Sequence, residues 1–91
     1  MADGSDGNHP PEPDARAVAA ETRRLRAMQR VADRAEIRLG RGGLSKRQQA
    51  RLIAEARVAC TRLFPDKLYL FDIIYMPRFR RAIAHAERRR P

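Results

Sequence analysis

An all-α domain of three to four helices, with a long first helix and a disordered N-terminal tail, is the fold that this 91-residue sequence predicts. Three observations predict it. Apolar residues recur at helical spacing through 15–39 and 46–64. Each of these stretches opens on a side chain suited to capping a helix and closes on glycine or proline. No second apolar run offers itself as a partner for a strand, so an isolated strand would leave its backbone unpaired.

Residues 1–13 (MADGSDGNHPPEP) hold three prolines, two glycines and no large apolar residue beyond Met1. Such a segment buries too little to offset the entropy of ordering it, so the domain is expected over 14–91, with 1–13 as an acidic, Pro-rich tail.

Asp14 is placed to cap the first helix, its carboxylate facing orphan amides and the positive end of the helix dipole. No Gly or Pro interrupts Ala15 to Leu39. At about 100° per residue Val18, Leu25, Met28, Ala32, Ala35 and Leu39 share one arc, and Arg16, Arg23, Arg30 and Arg34 line the opposite side. Glu21 falls inside the apolar arc, while Val31 and Ile37 fall outside it and mark a second contact surface. The run Gly40-Arg41-Gly42-Gly43 ends the helix through a glycine in the left-handed region. It lacks the Gly-Lys-Ser/Thr of a phosphate loop.

Ser45 with Gln48 forms a capping box for a second helix from Lys46 to about Phe64. Leu52, Ile53, Ala56, Ala59, Cys60, Leu63 and Phe64 make its apolar stripe, and Arg47, Arg51 and Arg62 its other side. Pro65-Asp66 turns the chain, with Asp66 as the expected cap of a third segment. Residues 68–76 (LYLFDIIYM) are apolar nearly all round; their β-branched and aromatic content suits a strand, but without a partner strand helix is preferred. Asp72 within that run needs a cation, with Arg78 or an arginine of the first helix as the expected partner. Pro77 should break or kink the helix near Met76. A last helix turns Phe79, Ala82, Ile83 and Ala86 inward and Arg78, Arg81, Arg88, Arg89 and Arg90 outward. The expected core is Leu52, Leu63, Phe64, Phe71, Ile74, Phe79 and Ile83, with all five aromatic residues clustered in it.

Charge carries the functional argument. Residues 15–91 hold 20 Arg and Lys against seven Asp and Glu. A domain this positive attracts polyanions and acidic surfaces within about a Debye length, ~8–10 Å at physiological salt. Catalysis finds no support: His9 lies in the tail, His85 near the C-terminus and Cys60 on a buried stripe, so no nucleophile–base pair, metal-ligand spacing, cofactor motif or small-molecule substrate is suggested. No apolar run reaches membrane-spanning length, the first residues lack a signal peptide's positive start and apolar middle, and the single cysteine fits a reducing interior, so a cytoplasmic protein is expected.

Two readings follow. One is a non-enzymatic module binding nucleic acid or another polyanion through Arg16, Arg23, Arg30, Arg34, Arg47 and Arg51. The other is a protein–protein interaction or accessory subunit, either a homodimer or a chain docked on an acidic partner in a larger complex. The seven-residue spacing of Leu25, Ala32 and Leu39, with Met28 and Ala35 between, suits the second.

Overall fold

The computed structural model describes residues 14–89, and its described residues form an all-α domain. The tail expected at 1–13 and Arg90 lie outside them. Helix α1 spans Ala15–Arg41 and α2 spans Lys46–Leu63. A 3₁₀ turn, Pro65–Lys67, leads into a third rod made of α3 (Leu68–Leu70), a π-helical turn (Phe71–Tyr75) and α4 (Met76–Arg88). The rods run up, down and up.

Both expected caps are made. The Asp14 carboxylate accepts from the Arg16 amide at 3.2 Å. At the second helix the Gln48 amide donates to Ser45 Oγ at 3.1 Å, and the Ser45 amide donates to Gln48 Oε1 at 2.8 Å. Each such cap stabilises a helix start by about 1 kcal/mol.

Helix α1 runs two residues beyond Leu39, through Gly40 and Arg41. Gly42, at φ 77° and ψ −170°, takes the backbone conformation that glycine alone adopts without strain, and its amide closes the helix on Leu39 O. Gly40 stays helical. A Cβ there would lie 4.0 Å from Ala82 Cβ, an ordinary van der Waals contact, so α4 passes beside this turn of α1, and the Arg89 guanidinium donates to Gly40 O.

The core joins small residues to rings. Met28, Ala32, Ala35 and Leu39 of α1 and Ala56 and Cys60 of α2 face Phe64, Phe71, Tyr75 and Phe79. Alanines at the contact leave room for the aromatic residues of the third rod. Phe71 meets Phe79 edge-on at 5.6 Å between centroids and Tyr75 at 5.9 Å, contacts worth about 0.5–1.5 kcal/mol each beyond area burial. Leu52, Leu63 and Ile83 pack partly buried around this cluster.

Several expectations are corrected. Ile74 is 45 % exposed and Tyr69 58 % exposed, because α1 and α2 together cover only one side of the third rod. Val18 and Leu25, on the expected apolar arc, are also exposed; Val18 precedes Glu21, where α1 runs past the turn that holds Lys67. Glu21 interrupts that arc because it receives Lys67 at 3.3 Å. Val31 packs on the core, whereas Ile37 is exposed. Asp66 makes no capping bond; Pro65, with its φ preset, starts the turn.

Pro77 does not break the rod. The Met76 amide bonds to Phe71 O, five residues back, and this wider π turn absorbs the proline's missing donor and the bulk of its ring. Arg78 turns inward rather than outward. It reaches Asp33 at 3.2 Å and Glu36 through two nitrogens on α1, and it lies over the Tyr75 ring. Asp72 pairs with Arg57 of α2, not with Arg78 or α1, in a two-pronged contact at 2.7 and 3.1 Å.

Candidate nucleic-acid interface

The placement of those ion pairs organises the surface. Lys67–Glu21, Arg78–Asp33, Arg78–Glu36 and Arg57–Asp72 all involve the third rod or the turn leading into it. Glu21, Asp33 and Glu36, every carboxylate of α1, are thereby drawn to one flank. The opposite flank, where α1 lies beside α2, keeps its arginines unpaired among the described residues.

Arg16, Arg23, Arg30, Arg34, Arg47 and Arg51 are all exposed. On α1, Arg16, Arg23, Arg30, Arg34 and Arg41 fall within an arc of about 40°, and the row spans about 37 Å at 1.5 Å per residue. On α2, Arg47, Arg51 and Arg62 fall within about 60° of one another on the side turned from the core.

Two adjoining shallow clefts join the two helices, and a third lies on α2 alone. The first is lined by Val31, Arg34, Ala35, Leu52, Glu55 and Ala56. The next takes in Arg38, Leu44, Gln48 and Arg51 together with Leu52 and Glu55. The last runs along α2 by Arg51, Ala54, Glu55, Val58, Ala59 and Arg62. Arg34 and Arg51 thus meet on one continuous surface. Arg16 and Arg23 extend the α1 row beyond the clefts, Arg30 lies one turn from Arg34, and Arg47 one turn from Arg51.

Sequence reasoning missed Arg38, Arg62 and Glu55 as members of this surface. Arg38 falls off the α1 arc, where it donates to Gly42 O at 3.0 Å and still borders a cleft. Arg62 is visible at four-residue spacing from Val58. Glu55, common to all three clefts, is an exposed carboxylate without an ion pair among the described residues.

Chemistry of another kind is sparse. Burial pushes the Cys60 thiol up from its ordinary range. Burial likewise raises the Tyr75 hydroxyl, an effect the Arg78 charge partly opposes. The hydrogen bond to Glu36 first, and then the charges of Glu36 and Asp33, hold the Arg78 proton more tightly. His85 is exposed. Among the described residues no group of three or more His, Cys, Asp or Glu could hold a metal ion, and no helix is long and apolar enough to cross a membrane.

Fold and surface together define a small basic three-helix protein with one arginine-lined two-helix face. Comparison of the chain with protein-family models, curated proteins and solved structures gives no match.

Proposed function

We propose that this protein is a non-enzymatic, cytoplasmic module that binds nucleic acid through the α1/α2 face. The observation that supports the reading is the placement of the α1 carboxylates, all of which turn toward the third rod, although Arg80, Arg81 and Arg88 of that rod are themselves exposed and unpaired among the described residues. Acidic side chains of α1 are spent on the third rod, so the arginines across the clefts keep their full charge for an outside anion. Guanidinium groups on two helices offer fork-shaped donors to phosphate oxygens at fixed separations. Phosphate contacts of this kind release counterions, which makes binding steeply dependent on salt and nearly blind to sequence.

Titration of the full chain with labelled oligonucleotides at about 50 and 200 mM salt tests the proposal. With six to ten phosphate contacts, affinity falls about 10³–10⁵-fold between those conditions. Absence of binding at the lower salt refutes it.

A second reading has its own observation. Tyr69, Ile73 and Ile74 are exposed on the third rod, opposite the arginine face, where an accessory subunit would meet a partner protein. Light scattering tests the homodimer version, which a monomer at high concentration removes.

A further inference from the structure

We infer that the outer face of the third rod is a self-complementary contact for a second copy of this chain, in which two rods lie antiparallel, centred on Ile73, and the Asp66 carboxylate of each meets Arg80 and Arg81 of the other. This inference rests on the homodimer version of the second reading above and gives it a geometry.

The π-helical turn builds this face. Its wider coil lengthens the local repeat from 3.6 toward four residues, so Tyr69, Ile73 and Pro77, spaced four apart, line up along the rod. Phe71, Tyr75 and Phe79 take the same spacing on the buried side. Ile73, at the centre of the outer line, is 66 % exposed, with Tyr69 and Ile74 beside it. Three of the seven large apolar side chains left exposed among the described residues thus fall within the six residues 69–74. Such a cluster marks a contact surface, whereas scattered single residues do not.

Charge selects the occupant. Asp66 stands seven residues before Ile73 and Arg80 seven residues after it, with Arg81 next. All three are exposed and form no ion pair among the described residues. A two-fold axis through Ile73 brings together residues equally far before and after it. Ile73 then meets its own counterpart, Tyr69 meets Pro77, and Asp66 meets Arg80 at both ends. A face of arginines alone would call for a foreign acidic partner; opposite signs at equal distances from one apolar centre match the face to itself. Asp72, between them, is held by Arg57 of its own chain. The apolar centre is small, so the dimer forms in the micromolar range of concentration rather than as a permanent assembly. The arginines of α1 and α2 lie on other helices and stay available to nucleic acid.

Sedimentation equilibrium of the full chain, from about 5 to about 500 μM at about 150 mM salt, tests the contact alongside two charge-reversed chains, Asp66→Arg and the double variant Arg80→Glu/Arg81→Glu. The parent forms a dimer. Each variant alone sets like charges against each other at both ends, and its dissociation constant rises about ten-fold or more. An equimolar mixture of the two variants restores opposite charges at both ends and dimerises about as tightly as the parent, a recovery that unfolded chains could not show. All three substitutions fall on exposed positions, and circular dichroism checks that each variant keeps the parent's helix content. A parent that stays monomeric at about 500 μM overturns the homodimer reading and this inference with it. A dimer that neither reversal weakens, or folded variants whose mixture does not recover, overturns the register while the homodimer reading stands.

Discussion

Replacing Arg34 and Arg51 by glutamine should flatten the salt dependence of binding without weakening the fold, whereas replacing Arg78 should do the reverse. If Arg30, Arg34, Arg38, Arg47, Arg51 and Arg62 each meet one phosphate of a duplex, the slope of log affinity against log salt is about −5.4, and about 10³ in affinity is lost between 50 and 200 mM. Two fewer contacts give a slope of about −3.6 and a loss of about 150-fold. Arg34 and Arg51 are exposed and make no ion pair among the described residues, so the unfolding free energy of the double variant changes by no more than about 0.5 kcal/mol. Arg78 spends its charge inside, on Asp33, Glu36 and the Tyr75 ring. Arg78→Gln leaves the slope near −5.4 and costs about 1–2 kcal/mol, since the contacts are half-exposed and two carboxylates lose their cation. Anisotropy titrations at four salt concentrations, with thermal unfolding alongside, measure both quantities. A double variant whose slope equals that of the parent refutes the assignment of phosphates to this face. A slope that falls as far in Arg78→Gln as in the double variant refutes the division of charge between flanks.

Other substitutions probe the fold. Gly42→Ala places a Cβ at positive φ and 3.4 Å from Ala86 Cβ, and thermal unfolding should register a loss of about 1–2 kcal/mol. Phe71→Ala removes a fully buried ring and should cost about 3–5 kcal/mol, which denaturant titration will show as a large fall in midpoint or as loss of folding. Burial raises the Cys60 and Tyr75 pKa values in the folded state, so the stability these groups contribute is complete below their unfolded values. It is lost as pH climbs from about 9 through the folded values. Unfolding followed from pH 7 to 11 should show that decline, and Cys60 should react with a thiol reagent at pH 8 only as fast as the chain opens.

Much of the fold was legible because its signals are local. Asp14, Ser45 and Gln48 cap what they should cap, since a cap depends on residues within one turn of it. The glycine run stopped α1, although that Gly42 and Gly43 rather than Gly40 take the positive φ depended on where the helix stops fitting against α4. The π turn was hidden. Pro77 forbids one hydrogen bond, but whether the chain kinks or widens depends on the pull of Phe71, Tyr75 and Phe79 toward a common core. Ion-pair partners were equally hidden, because Arg57–Asp72 and Arg78–Glu36 depend on how the rods are set side by side. Exposure of the six named arginines followed from periodicity alone. Their gathering with Arg38, Arg62 and Glu55 did not, for it needed Leu52 to seat beside Ala35 and bring two outward faces to one seam.

Crowding the α1 carboxylates against the third rod also makes the molecule a permanent electric dipole, with its positive pole on the side away from that rod. In the field of a charged polymer such a body feels a torque before it feels contact. It therefore rotates during approach, and a larger share of random collisions arrives with the useful side forward.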